Sequence, residues 1–327
     1  MPSHRQIPAF DSGHPDVERV LEYVDTVVVG KRHVAERMVC ALIADGHILL
    51  EDVPGVGKTL LAKTLAQALA LSFARIQFTP DLLPSDILGV SVWDPSTARF
   101  RFQPGPVFTN ILLADEINRT SPRTQSALLE VMEERQVSLD GESRPVPDPF
   151  IVIATENPIE YEGTFPLPEA QLDRFLFRLH VGYPDVEDEV ELLRRQERRS
   201  SSQGGQEAVL SRLELLALRE QARRVHVAES VLRYMGQVAD RTRRHPDVYL
   251  GASPRAVVQW LRAAQAWALM RGRSFVIPDD VRLLAPDVLG HRLVPRSSLG
   301  RADRQQIAQA LVREILQAVP VPSGEPR

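Results

Sequence analysis

Residues 49–66, LLEDVPGVGKTLLAKTLA, put a short apolar run, two closely spaced glycines and an amphipathic stretch in direct succession. An apolar run of this length, bounded by glycine and proline, reads as a buried strand, and the apolar spacing after Lys58 reads as a helix. Gly55 and Gly57 let the backbone curl between the two, so that amides around residues 56–59 converge on one point. The helix that begins there adds the positive end of its dipole. Strand, glycine turn and helix N-terminus together make a cradle for phosphate oxygens. Pro54, Gly55, Val56, Gly57, Lys58, Thr59 and Leu60 are expected to form it, with Lys58 on the terminal phosphates and the Thr59 hydroxyl on Mg2+.

The first glycine of G-x-x-x-x-G-K-[ST] is absent, and Asp52 stands in its place. A carboxylate turned inward, about 6 Å from a phosphate charge at an effective dielectric of about 20, would cost about 2–3 kcal/mol per charge pair. Aspartate tolerates turn and left-handed backbone, so the Asp52 side chain is expected to point away and cap the loop. On this reading Asp52→Gly changes nucleotide affinity only slightly.

A second motif, ILLADEIN, sets Asp115 and Glu116 at the end of an apolar run. Carboxylates at the C-terminal end of a buried strand are expensive unless something binds them. A phosphate-bound Mg2+ near Thr59 gives Asp115 a partner, and Glu116 can then act as general base on an attacking water. Asn157, ending IVIATEN, offers a neutral amide to orient that water; taken alone it is an ordinary turn residue. Arg174 in EAQLDRF and Arg255 in GASPRA read either as positive charge aimed at a phosphoryl-transfer transition state or as surface salt bridges. Ser253 and Pro254 start the helix that carries Arg255.

The β-rich runs HILLEDV (47–53), ARIQFT (74–79), NILLADEI (110–117), PFIVIATEN (149–157) and FLFRLHVGY (175–183) alternate with helical patterns, the signature of a parallel α/β sheet. SVWDPSTARFRF and QVSLDGESRPVPDPF, the latter with Asp140-Gly141, each read as an inserted β-hairpin. After Tyr183 comes the charged helix DEVELLRRQERR, then SSSQGGQ, then helical patterns almost throughout, with Ile307, Leu311 and Ile315 predicted as one buried stripe. RRQERR (194–199) reads as a solvated helix face.

The ordered set PGVGKT, LLADEINR, ATENP, LPEAQLDRF and SPRA resembles the MoxR family of AAA+ ATPases. The resemblance is close over residues 15–183 and looser beyond, and ADEINRTSPRTQSALLEVMEE is its most specific part. It implies an α/β fold: a P-loop NTPase core of AAA-3 type, with a five-stranded parallel sheet in three α/β/α layers. A smaller all-α lid, shared with magnesium-chelatase-like subunits, follows. The implied domains are a flexible N-terminus (1–14), the core (15–183) with hairpin inserts near 91–103 and 136–147, a charged helix and Ser/Gly linker (184–208), the lid (209–319) and a disordered tail (320–327).

Residue by residue, the resemblance makes Lys58 and Thr59 the Walker A pair and Asp115 and Glu116 the Walker B pair. Asn157 becomes sensor 1, Arg174 the arginine finger and Arg255 sensor 2, while VVVGK (27–31) lines the adenine pocket. ATP and Mg2+ are the implied ligands, held between subunits of a ring, commonly a hexamer. The implied activity is ATP hydrolysis that remodels or activates a client protein, often one with a von Willebrand factor A domain. A nucleotide-gated scaffold without turnover, a DNA-acting motor and a magnesium-chelatase-like motor are the alternatives.

Composition narrows these. A formal charge of −4, with 43% hydrophobic and 25% charged residues, describes an ordinary globular chain and argues against coating nucleic acid. The N-terminal stretch lacks the apolar core of a signal peptide, and no run reaches the ~18 apolar residues that span a bilayer, so a cytoplasmic protein is expected. The single cysteine, Cys40 in RMVCALIA, reads as small buried packing, and the scattered histidines give no metal-ligand spacing.

Overall fold

The computed structural model describes residues 13–51, 53, 55–157, 164–198, 207–296 and 301–322. The SSSQGGQ linker, residues 1–12 of the N-terminus and residues 323–327 of the tail lie outside the described residues. Two compact units result: Val20–Leu216, and Met1–Arg19 with Ala217–Arg327.

Helix α1 (Pro15–Val27) is divided between the units at Val20, and the first unit continues with helix α2 (Arg32–Ala44), strand β1 (His47–Glu51) and helix α3 (Lys58–Ala68). Edge strand β2 (Phe73–Gln77) and the short α4 (Pro84–Leu88) lead into a hairpin, β3 (Gly89–Asp94) and β4 (Arg99–Pro104). Strand β5 (Ile111–Asp115), a 3-10 turn (Ile117–Arg119) and helix α5 (Pro122–Glu134) follow. A second hairpin, β6 (Gln136–Leu139) and β7 (Glu142–Pro145), precedes β8 (Ile151–Glu156), the short α6 (Glu169–Leu172), β9 (Phe175–Leu179) and α7 (Val186–Arg198).

The five long-range strands form one sheet in the order β2-β5-β8-β1-β9, and every pairing is parallel. Central parallel strands are covered on both faces, which is why HILLE and ILLAD are buried at every position. Alternation sends Leu49, Leu112, Val152 and Phe175 to the face covered by Leu128, Leu129 and Met132 of α5. Ile48, Leu50, Leu113 and Ile153, of opposite parity, are buried too, and α2 packs on β1 and β9 while α3 packs on β5. Each such aliphatic side chain contributes about 1.5–3 kcal/mol by leaving water. The expected parallel α/β sheet is therefore present, with flanking helices.

Strands end earlier than the apolar runs that announce them. Phe78 is fully buried, yet it lies beyond β2 and its amide reaches Asp115 O at 2.8 Å. Hydrophobicity reports burial, whereas a strand needs a ladder partner. Both hairpins form where expected. Asp140 and Gly141 take positive φ, 54° and 79°, the two-residue turn that matches strand twist. In the other turn the Ser96 hydroxyl and amide both donate to Asp94 Oδ1, holding the Asp94 carboxyl below its usual range. The hairpins touch: Ser91 donates to Asp140, and the Arg144 guanidinium lies 4.2 Å from the Phe102 ring centroid. Val90, Val92, Trp93 and Phe100 stay exposed.

The second unit contains α9 (Glu229–Arg244), α10 (Pro254–Met270), α11 (Pro278–Leu289) and α12 (Arg301–Ala318); α8 (Arg212–Arg223) is divided between the units. A short antiparallel ribbon, β10 (Val248–Leu250) with β11 (Val294–Pro295), interrupts what the sequence reads as helix almost throughout. Trp260, fully buried, donates from Nε1 to Val281 O at 3.0 Å. Arg273 and Asp280 form a buried two-pronged ion pair at 2.6 and 2.7 Å, and Asp280 Oδ2 also accepts the Ile277 amide that starts α11. The stripe on α12 is Ala308, Leu311, Val312, Ile315 and Leu316; Ile307, predicted as part of it, is only partly buried. At 100° per residue Ile307 falls on the margin of that face.

Candidate functional site

The loop after β1 is built on its glycines. Gly55 and Gly57 have φ of +89° and +92°, which side chains with a Cβ rarely adopt, and a Cβ at either position would meet nothing within 4 Å. Within the chain their requirement is conformational rather than steric. Gly57 caps α3, and its carbonyl accepts the Leu61 amide at 2.9 Å. Lys58 rests its ammonium on the Val53 carbonyl at 3.1 Å.

An open cleft of about 410 Å³ lies at this loop. From the loop and α3 it is lined by Gly55, Gly57, Lys58, Thr59 and Leu60. From the strand ends come Asp115 and Glu116 after β5, Thr155 and Asn157 at β8, and Arg75 and Gln77 from β2. Three separated motifs thus share one cavity. Val56, predicted with the loop, is buried and is not among the lining residues. Pro54 and Asp52 lie outside the described residues. Residues 27–31 do not line the cleft; Lys31 caps α2 and donates to Gly182 O at 3.0 Å.

The two acids are held differently. Asp115, at 13% side-chain exposure, accepts from the Thr155 hydroxyl on Oδ1 at 2.6 Å and from Arg75 Nη2 on Oδ2 at 2.7 Å. Glu116 has φ +58°, a left-handed conformation that costs an L-residue about 1–2 kcal/mol. Its amide donates to Thr155 Oγ1 at 2.8 Å and its carbonyl accepts the Arg119 amide at 2.9 Å, so the surroundings hold the bend. Its Oε2 accepts from Gln77 Nε2 at 2.6 Å and pairs with Arg119 at 3.2 Å.

Sequence reasoning missed Arg75, Gln77, Thr155 and Arg119. The i, i+2 spacing of Arg75 and Gln77 places both on one face of β2, a signal present in the sequence but silent about which strand they face.

Arg174 is not among the cleft-lining residues. Its Nη1 donates to Leu129 O and its Nη2 pairs with Glu133 at 3.0 Å, so α5 carries it. The same helix holds Gln125, 1% exposed, whose Nε2 donates to Ile117 O at 3.1 Å and to Phe165 O at 2.7 Å. Gln125 thereby ties the turn after Glu116 to the segment that leads to Arg174. Arg255 belongs to the second unit, exposed in the first turn of α10, where the Ser253 hydroxyl accepts the Ala256 amide at 3.0 Å.

The donor set fits a divalent ion. A hydroxyl at a helix start and a carboxylate at a strand end, in a cleft that Gly55 and Gly57 also line, are the hard oxygen ligands Mg2+ takes beside phosphate. Among the described residues no cluster of three or more His, Cys, Asp or Glu offers an all-protein metal cage, and no helix is long and apolar enough to cross a membrane. Cys40 is buried in α2, as expected.

The chain resembles known proteins in sequence and in fold. The family described as "ATPase family associated with various cellular activities (AAA)" matches residues 47–177, and the "AAA lid domain" matches residues 240–315. The chain is 49% identical to the uncharacterised protein YeaC of Bacillus subtilis, over 94% of this chain and 96% of that protein. It is 46% identical to the protein named Chaperone MoxR1 of Mycobacterium tuberculosis, over 85% of this chain and 75% of that one. A crystal structure of a candidate ATPase from Cytophaga hutchinsonii superposes with a TM-score of 0.86 at 37% identity, over 94% of this chain and 95% of that chain. With its parallel five-stranded sheet, its glycine cradle beside paired strand-end acids and relatives of nearly full length, the chain belongs to the MoxR family of AAA+ ATPases.

Proposed function

We propose that this protein binds and hydrolyses ATP with Mg2+ at the cleft beside Gly55–Thr59, and that a neighbouring copy completes the site. The convergence of Lys58, Thr59, Asp115, Glu116 and Asn157 on one cavity carries the reading. The amides of the glycine loop and the N-terminus of α3 receive the phosphates, and Lys58 exchanges the Val53 carbonyl for a phosphate oxygen. Thr59 and Asp115 would hold Mg2+, which neutralises charge on the phosphates. Asn157 orients a water, and Glu116 takes its proton as the oxygen attacks the terminal phosphorus and the bond to the bridging oxygen breaks. Glu116 Oε2 must first leave Gln77 and Arg119.

Arg174, bonded to Leu129 and Glu133 of α5 and not among the lining residues of its own chain's cleft, is suited to a neighbour's phosphates, and Arg255 is the lid's contribution to nucleotide sensing. The exposed Val90, Val92, Trp93 and Phe100 of the first hairpin support a protein client. The proposal includes a hexameric ring, a client with a von Willebrand factor A domain and a chaperone-like role, the last supported by the relative of that name.

The test is ATPase activity against protein concentration for wild type, Glu116→Gln and Arg174→Ala. Specific activity should rise with concentration in wild type and collapse in both variants. Full activity of dilute Arg174→Ala would overturn the shared site.

A further inference from the structure

Asp115 accepts three donors inside the chain. Its Oδ2 accepts two donors from one guanidinium, Arg75 Nη2 at 2.7 Å and Nε at 3.1 Å, while Oδ1 accepts the Thr155 hydroxyl at 2.6 Å. Arg75 Nη2 also reaches Gln77 Oε1 at 3.0 Å, and Gln77 passes the contact on to Glu116. A carboxylate oxygen with two N–H donors has both its lone pairs occupied. A divalent ion, or a water bound to it, that takes Oδ2 needs one of those same lone pairs, and at either oxygen the guanidinium beside it is a like charge. Ion and Arg75 therefore exclude each other at Oδ2.

The two partners of Asp115 differ in how easily they leave. Thr155 is 1% exposed on a central strand, and its hydroxyl also accepts the Glu116 amide. Arg75 projects from the edge strand β2, its side chain 48% exposed at the cleft, and can swing away without disturbing the ladder.

We propose that Arg75 is an internal cation that holds Asp115 in the metal-free chain and competes with Mg2+ for its Oδ2, so that it sets the metal concentration at which the nucleotide site closes. This rests on the Mg2+-dependent nucleotide site proposed above and assigns it a gate. Arg75 acts through Asp115: its two N–H donors orient that carboxylate. A guanidinium also does this without leaving a bare pair of adjacent acids at the strand end when metal is scarce.

The experiment titrates MgCl2, from an EDTA-treated start, into full-length protein with a fluorescent ATP analogue, for wild type, Arg75→Gln and Arg75→Lys. Arg75→Gln should lower the Mg2+ midpoint by about tenfold, the size expected for losing a two-pronged charge-assisted contact on a half-exposed side chain. Arg75→Lys, which keeps the charge but not the fork, should shift it less. A thermal melt gives a second readout. Arg75→Gln should melt below wild type in EDTA, and the gap should close with saturating Mg2+ and the analogue, because the pair is already broken there. A midpoint in Arg75→Gln that is unchanged or higher, or a melting gap of equal size in both conditions, overturns the proposal and leaves a structural ion pair. Wild type that binds no analogue at any Mg2+ concentration overturns the nucleotide site itself, and the gate with it.

Discussion

Thr155 bears on both acids at once. Its hydroxyl donates to Asp115 Oδ1 and accepts from the Glu116 amide, so Thr155→Val, nearly isosteric, strips a partner from each. Leaving a buried acceptor and amide unpaired should destabilise the fold by about 1–3 kcal/mol, and Thr155→Ser by less, as measured by urea unfolding. Phosphate release should fall with it, because the left-handed bend of Glu116 loses its tether. Glu116→Gln is expected to reduce phosphate release by about 10²–10⁴-fold while nucleotide binding persists, which fluorescence titration can verify. Gly57→Ala tests the loop's backbone: the added methyl meets no protein atom within 4 Å, so within the chain its cost comes from the φ of +92°. We expect the loss of nucleotide affinity to exceed tenfold by titration, since the amides after residue 57 would no longer converge.

At the scale of elements, the legible features were those with a local cause. Ser253 caps α10 and Pro254 opens it, as the sequence indicates, because a hydroxyl acceptor and a fixed φ act within one turn. The hairpin at Asp140-Gly141 was legible for the same reason. The β10–β11 ribbon was not: its partners are 44 and 47 residues apart (Leu250 with Val294, Val248 with Pro295), and three or fewer residues per strand leave no periodicity to read. The Arg273–Asp280 pair is a tertiary decision within one helix start, and its side chains are 9% and 4% exposed. Asp280→Ala strands a buried guanidinium and uncaps α11, so it should destabilise the second unit by about 3–5 kcal/mol in thermal or urea melts. Were the pair merely a surface contact, the change would stay within ~1 kcal/mol.

For the whole molecule, a shared active site makes a prediction that no single chain can satisfy. Glu116→Gln and Arg174→Ala should each be inactive, yet a 1:1 mixture should recover activity. A site with an intact Glu116 then meets a neighbour with an intact Arg174 at about a quarter of the interfaces of a closed ring. A mixture as inactive as its parts would place both residues in one self-contained site.

The sequence alone determined the glycine cradle, the paired acids and the alternation of strands with helices. Each is a local pattern, set by backbone freedom, charge at a strand end or the period of apolar residues. Only the tertiary structure decided that Arg75 and Gln77 reach Asp115 and Glu116. Those contacts span about 40 residues and exist because β2 pairs with β5 in a register that sets Gln77 against Asp115. Strand order and register follow from packing of the whole sheet, and no stretch of sequence carries that information by itself.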